Sequence, residues 1–133
     1  MLIVSVVLLV LAVVLGGVAV AGLTERLPRN RWAGVRTPET LRDDETFALA
    51  NKVAAPTMLA SGALLIIGSA AGALLDGALA FVAVGFSVVA AIVTVSLGGV
   101  LGARTAAALP APEPGGCGSS CGACSLKDAC QPS

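Results

Sequence analysis

The chain has 133 residues, of which 56% are hydrophobic and 12% are charged, and its mean hydropathy is +0.94. Soluble domains carry about 25% charged residues, so this composition indicates an integral membrane protein. The net charge is zero and the sequence contains no histidine, which argues against a basic nucleic-acid-binding surface and against the usual catalytic dyads and triads. We therefore expect a membrane protein that is not an enzyme and does not bind nucleic acid directly.

Three apolar segments predict three membrane-spanning helices. Residues 1–23 contain no charged side chain, and about 20 apolar residues are enough to cross a hydrocarbon core of about 30 Å. An Ala-x-Ala step at 19–21 resembles a signal-peptidase site, but a signal peptide begins with basic residues and this chain begins Met-Leu-Ile. A spanning helix is therefore favoured. The segments 57–75 and 78–103 flank the turn signal Asp76-Gly77 and predict an antiparallel helical hairpin.

Small residues recur four positions apart in each segment, a spacing that permits close helix approach. It is compatible with packing or with homo-oligomerisation, and the pairs are Gly17/Ala21, Gly68/Gly72 and Gly98/Gly102. The three segments contain no ionisable side chain. A proton or ion pathway normally requires one, so a transporter is disfavoured.

Polar residues are concentrated in the loop 24–56, between the first two predicted spans. This loop holds six of the eight Lys and Arg residues, whereas the N-terminal segment and the 76–77 turn hold none. Basic residues of short loops are retained on the cytoplasmic side of a membrane. The bias predicts an external N-terminus, a cytoplasmic loop and a cytoplasmic C-terminus.

The first half of this loop suits contact with lipid. The string PRNRWAGVR places three arginines and a tryptophan directly after the first span. Guanidinium groups bind phosphate in bidentate fashion and tryptophan favours the headgroup region, so anionic lipid headgroups are expected partners. Gly34 is expected to supply a backbone bend.

The second half of the loop predicts a helix. The acidic run 43–45 would occupy a first turn, with Phe47 and Ala54 on one apolar face. We expect a short interfacial helix over 43–54 that turns into the second span near Pro56. Ion pairs between the two halves are expected to join Arg29, Arg31 or Arg36 to Glu39, Asp43 or Asp44.

The order of residues in this loop is more specific than its charge. The string PRNRWAGVRTPETLRDDETFALAN resembles the signature of the SdpI family of bacterial membrane proteins, and the likeness covers about residues 10–100. Phe47 stands where that family usually has tryptophan, and Ala54 where glycine is common. The loop residues that the resemblance marks are Pro28, Arg29, Asn30, Arg31, Trp32, Gly34, Arg36, Thr37, Pro38, Thr40, Leu41, Glu45 and Asn51.

The resemblance also implies a role. The family includes an immunity protein that protects bacteria from a secreted antibacterial toxin and holds a transcriptional repressor at the membrane. This chain is expected to be a short form without the further N-terminal membrane region of longer members. For it the resemblance implies toxin immunity or membrane-linked signalling through the cytoplasmic loop. Its implied partners are a peptide toxin and a cytoplasmic regulator, and its implied location is the bacterial cell membrane.

The C-terminal segment has a different composition. A Pro/Gly linker follows Arg104, and the spacing C-x3-C-x2-C-x5-C then places Cys117, Cys121, Cys124 and Cys130. Four thiolates suit Zn, Cu(I) or an Fe–S cluster, and a cytoplasmic position disfavours disulfides. A reduced tail without a ligand is an open alternative, as are disulfides if the topology is inverted.

These patterns together predict an all-α membrane protein in two parts. Residues 1–104 would form three transmembrane helices with a short interfacial helix in the first loop, and residues 105–133 a disordered, cysteine-rich cytoplasmic tail. An SdpI-like role would depend on the loop. The alternative function, a membrane-anchored metal-binding or thiol-sensing module, would depend on the tail.

Overall fold

Three helices account for most of the described chain. The structure, a computed structural model, describes residues 2–28 and 32–110. In these ranges it contains α1 (Leu2–Leu23), α2 (Asp44–Leu74) and α3 (Gly77–Ala108). Each helix is long and apolar enough to cross a membrane. The prediction of an all-α membrane protein with three spans is therefore confirmed.

α1 runs antiparallel to α2. Near one end, the Ser69 hydroxyl donates a hydrogen bond of 2.8 Å to the Ser5 carbonyl oxygen. Near the other, a Cβ atom added at Gly22 would lie 3.1 Å from the Asn51 carbonyl oxygen. The buried residues of α1 have the spacing of one helical face, whereas most of its other side chains are apolar and exposed, as suits a lipid-facing surface. These buried residues are Ser5, Leu8, Ala12, Ala19 and Gly22.

α3 packs antiparallel on another part of α2, so that α2 lies between its two neighbours. The Ser61 hydroxyl of α2 donates a hydrogen bond of 2.9 Å to the Ala91 carbonyl oxygen of α3. Only Leu75 and Asp76 separate the two helices, and Gly77 has a φ of 63°. The predicted helical hairpin is confirmed.

Close approach of the helices depends on small residues, as predicted for two of the three pairs. A Cβ atom at Gly68 would lie 2.8 Å from the Ser87 Cβ, and one at Gly72 would lie 2.7 Å from the Ser5 Oγ. Gly98 and Gly102 of α3 are buried against α2 in the same way. A Cβ atom at Gly17, in contrast, would meet nothing within 4 Å.

The helix predicted over 43–54 is not a separate interfacial element. α2 passes through Pro56 without a break, and the segment forms its first turns. The apolar face expected to lie on the membrane is covered by protein instead, since Phe47 is 1% exposed and Ala50 lies against Gly102 of α3. Pro56 is exposed and lacks one backbone donor, a loss that helices in membrane bundles tolerate.

The third helix is longer than its apolar run. α3 continues beyond 103 to Ala108, and Ala106 is fully buried. The sequence Arg-Thr-Ala-Ala-Ala favours helix, and Pro110 is the residue that prevents its continuation. The predicted linker and cysteine tail from 111, like Arg29, Asn30 and Arg31, lie outside the described residues.

Candidate functional site

Asn51 joins the loop between α1 and α2, residues 24–43, to the body of the protein. Its side chain is 2% exposed. The amide oxygen accepts a hydrogen bond of 2.7 Å from the Val35 N–H, and the amide nitrogen donates one of 2.8 Å to the Phe47 carbonyl oxygen. A buried amide requires partners of both kinds, and here one of them comes from the loop. Asn51 therefore fixes the position of the loop over α2.

Gly34 makes that hydrogen bond geometrically possible. Its φ of 92° lies in the left-handed region that residues with a Cβ rarely adopt. A Cβ atom there would also collide with the Asn51 Oδ1 and would lie 3.0 Å from the Leu27 Cδ2. The predicted bend at Gly34 is confirmed, and its reason is both the backbone conformation and the space taken by Asn51.

Val35 anchors the loop through apolar contact. It is 7% exposed, and its Cγ2 atom lies 3.3 Å from the position that a Cβ would take at Gly102 of α3. Its cluster draws one residue from α1 and three from α2, which are Ala19, Ala54, Ala55 and Met58. Val35 thus belongs to one apolar cluster with residues of α1 and α2 and lies against Gly102 of α3. Val35 was not among the predicted site residues. The hydrophobic position between Gly34 and Arg36 was the sequence feature that could have indicated its role.

Thr37 and Thr40 close a turn around Pro38. The Thr40 hydroxyl accepts a hydrogen bond of 2.7 Å from the Thr37 N–H and lies 3.0 Å from the Val35 carbonyl oxygen, to which it donates. The Thr37 hydroxyl in turn accepts from the Thr40 N–H over 3.2 Å. Thr40 is fully buried. The Thr-Pro-x-Thr step therefore holds the loop in shape, because its hydroxyls satisfy backbone groups that sheet or helix would otherwise pair.

Asp43 begins α2 as its N-cap. Its carboxylate accepts a hydrogen bond of 2.7 Å from the Thr46 N–H and one of 2.8 Å from the Thr46 hydroxyl. These two bonds, led by the backbone N–H, lower the pKa of Asp43 below its ordinary value. Asp44 and Glu45 occupy the first turn, as predicted, and their charges complement the helix dipole.

Two ion pairs between described residues border the loop. Lys52 Nζ lies 2.7 Å from Glu25 Oε1, and this hydrogen-bonded pair lowers the pKa of Glu25. Arg42 Nε lies 3.3 Å from Asp43 Oδ2, so the partner found for Asp43 is an arginine that the sequence did not single out. Lys52 and Glu25 are 27 positions apart and are brought together by the fold, whereas Arg42 and Asp43 are neighbours in the sequence.

α1 ends in a left-handed residue that is not glycine. Glu25 has a φ of 55°. Its N–H bonds to the Gly22 carbonyl oxygen over 3.3 Å and the Arg26 N–H to the Ala21 carbonyl oxygen over 3.0 Å. This pair of bonds is the Schellman arrangement, in which glycine is the usual residue at the left-handed position.

The remaining motif residues of the described loop point away from the body. Trp32 is 90% exposed and Leu41 is 36% exposed. Arg36, Pro38 and Glu45 are also exposed. The marked residues that the structure describes therefore divide into two groups. One group builds the loop, with Gly34, Thr40 and Asn51 at its centre, and the other forms the outer surface of the loop.

Among the open grooves that described residues line beside the start of α2, two are larger than the groove of about 270 Å³ between Glu25 and Lys52. One, of about 530 Å³, is lined by Glu25, Arg26, Leu27, Pro28, Asp44 and Ala48. The other, of about 420 Å³, lies between the start of α2 and the end of α3 and is lined by Arg42, Asp43, Glu45, Thr46, Leu109 and Pro110.

The predicted metal ligands are the four cysteines of the C-terminal segment. Cys117, Cys121, Cys124 and Cys130 lie outside the described residues. Within 2–28 and 32–110, no group of three or more Cys, His, Asp or Glu side chains is arranged to hold a metal ion.

A family model described as the SdpI/YfhL protein family matches residues 26–98, more than half of the chain. The match begins in the loop, includes all of α2 and ends within α3. No curated protein and no solved structure matches the chain.

Proposed function

The chain belongs to the SdpI/YfhL protein family, and from this we propose that it confers immunity to a secreted antibacterial peptide or signals from the bacterial membrane to a cytoplasmic regulator. The loop between α1 and α2 would be the working surface in either case. A partner would bind its outer residues, while the helices would respond to the external peptide.

The observation that supports this proposal is the fixed loop. Asn51 and Thr40, both buried, hold the backbone of the loop through hydrogen bonds. A loop held in this way presents Trp32 and Arg36 in defined positions. Exposed aromatic and arginine side chains are the residue types that most often dominate binding energy at protein interfaces. The loop therefore has the properties of a preorganised docking surface.

We place this surface on the cytoplasmic side of the membrane. The ends of the helices that carry it also carry the basic residues Lys52 and Arg104, whereas the opposite turn contains Asp76 as its charged residue. Basic residues in short loops favour the cytoplasmic side. Anionic lipid headgroups would then contact the arginines and Trp32 at the edge of the loop.

Protection of a toxin-sensitive bacterium tests the immunity role. Cells that express the chain should survive the toxin that the family's immunity protein counters, and Trp32→Ala with Arg36→Gln should abolish survival while the protein remains in the membrane at wild-type amount. Thr105→Ala, a change at a half-buried residue near the end of α3 and outside the loop, is the control. Wild-type expression without any protection would exclude immunity to that toxin.

The signalling role has its own readout. Crosslinking in intact membranes should capture a cytoplasmic protein with the wild-type chain, and the Trp32→Ala, Arg36→Gln variant should lose it. If that variant captures the same protein as the wild type, the exposed residues of the loop serve only to orient the chain in the membrane.

The alternative is a membrane-anchored metal-binding or thiol-sensing module. It is supported by the C-x3-C-x2-C-x5-C spacing, since four thiolates can bind Zn, Cu(I) or an Fe–S cluster. Deletion of residues 111–133 would abolish this function and leave a loop-dependent function intact. Purification under reducing, anaerobic conditions should yield stoichiometric metal if the module is correct, and metal-free protein would argue against a metal site.

A further inference from the structure

Arg42 connects two places that are far apart in the sequence. Its Nη2 atom donates to the Pro110 carbonyl oxygen over 3.2 Å and lies 3.5 Å from the Leu109 carbonyl oxygen. Its Nε atom lies 3.3 Å from the Asp43 carboxylate. The guanidinium group therefore joins the start of α2 to the end of α3.

The end of α3 needs such a partner. The last carbonyl groups of a helix have no N–H partner within the helix and are usually satisfied by a left-handed glycine or a basic side chain nearby. α3 has no basic residue in its last turn, and its C-cap, Leu109, is extended. Arg42 supplies a donor and a positive charge from the loop to the carbonyl groups of Leu109 and Pro110, which directly follow the last residue of α3.

The start of α2 is held by the same group. Asp43 caps α2 through its bonds to Thr46, and Arg42 pairs with that carboxylate. Because α2 and α3 are antiparallel, the positive end of one dipole and the negative end of the other lie side by side here. The Arg42 side chain is 26% exposed, so its pairing with Asp43 is partly removed from water and is stronger than that of a fully exposed arginine. Its bond to the Pro110 carbonyl oxygen is exposed.

We propose that Arg42 is a latch between the loop and the end of α3. A conformational change in the loop, such as one caused by a bound partner, would then be transmitted to Leu109 and Pro110, the point from which the C-terminal segment begins. Transmission would also operate in the opposite direction, since coupling between two sites is reciprocal. This inference does not depend on either function proposed above.

Amide hydrogen exchange of the full chain in lipid nanodiscs tests the latch. The probes are the N–H groups of Thr46 and Phe47, which bond to Asp43, and that of Leu109, which bonds to the Ala106 carbonyl oxygen. Arg42→Gln should raise the exchange rate about fivefold at both ends. This is the change expected when the free energy of local opening falls by about 1 kcal/mol. Arg104→Gln, which removes an equal charge from α3, should change neither.

Leu109→Gly tests transmission itself. The substitution loosens the end of α3, and with Arg42 present it should also raise exchange at Thr46. When Leu109→Gly is combined with Arg42→Gln, the amide of Thr46 should exchange at the same rate as in Arg42→Gln alone. If Leu109→Gly leaves Thr46 unchanged while Arg42 is present, or if Arg42→Gln affects one end alone, Arg42 is a cap and not a latch.

A folding control keeps the experiment decisive. Exchange across 61–69, in the middle of α2, should be the same in every variant. Should Arg42→Gln lose that protection, Arg42→Lys takes its place, because lysine keeps the charge for Asp43 but cannot span both partners. It should raise exchange at both ends by a smaller factor, and no change at either end would overturn the proposal.

Discussion

The Asn51 side chain lies directly against Gly34, so that no room remains for a side chain at residue 34. The Asn51 amide oxygen takes the space where a Cβ at residue 34 would be, and from there it accepts the N–H of Val35. The Asn51 side chain of α2 and the absence of a Cβ at Gly34 in the loop are therefore required together. Two of the motif positions thus owe their identities to each other.

Gly34→Ala should destabilise the protein. The left-handed backbone alone costs an alanine about 1–2 kcal/mol, and the Cβ would further displace Asn51 from its bond. We expect a lower melting temperature in detergent and faster proteolysis of the loop. Gly85→Ala is the control, because a Cβ there would meet nothing within 4 Å. Equal stability of the two variants would contradict the assignment.

Asn51→Ala should also destabilise the protein, by about 1–3 kcal/mol, because a buried N–H and a buried carbonyl group lose their partner. The loss should appear as faster amide exchange at Val35 together with a lower melting temperature. Asn51→Asp keeps the acceptor for the Val35 N–H and loses the donor to the Phe47 carbonyl oxygen, so it tests the two hydrogen bonds separately. The Val35 amide should be better protected from exchange in Asn51→Asp than in Asn51→Ala. Protection lost equally in both variants would show that the oxygen is not the decisive group.

The sequence predicted where the loop lies and which of its residues matter, but it did not predict how those residues contact one another. Residue order marked Gly34, Thr40 and Asn51, and the bend at Gly34 followed from the properties of glycine. The contact between Asn51 and Val35 joins residues 16 positions apart, and no periodic pattern encodes such a pairing. The helix over 43–54 was wrongly separated from α2 because Pro56 is a local signal to end a helix, whereas packing against α3 is a tertiary effect that overrides it.

Glu25→Gly should stabilise the protein slightly. Glycine suits the left-handed end of α1, where Glu25 has a φ of 55°. The change also removes the ion pair with Lys52, but surface pairs of this kind contribute little. We expect a small rise in melting temperature. Glu25→Gln, which removes the charge and keeps the side chain, should produce no rise, so a fall in both variants would show that the ion pair outweighs the backbone conformation.

Acid should weaken the cap of α2. The pKa of Asp43 is lowered by its bonds to Thr46, from an ordinary value of 3.8. A carboxyl whose pKa is lower in the folded state than in the unfolded state stabilises the fold above the unfolded value, and this contribution is lost as the pH falls through the folded value. Stability should therefore decline below about pH 4. Asp43→Asn should flatten that decline in melting temperature between pH 5 and pH 2, whereas an unaltered decline would assign it to other carboxyl groups.

Gly102→Ala should force α3 away from α2. A Cβ there would lie 2.6 Å from the Ala50 carbonyl oxygen and 3.3 Å from the Val35 Cγ2. The first of these atoms belongs to the backbone of a helix and cannot rotate away, so the two helices must separate by several tenths of an ångström. We expect a loss of about 1–3 kcal/mol, as for other overpacked sites. Gly99→Ala places the same methyl group in open space on the same helix and should be neutral or slightly stabilising. Thermal unfolding of the two variants in one detergent separates the two effects, and a neutral Gly102→Ala would mean that α2 and α3 are packed less closely than the structure places them.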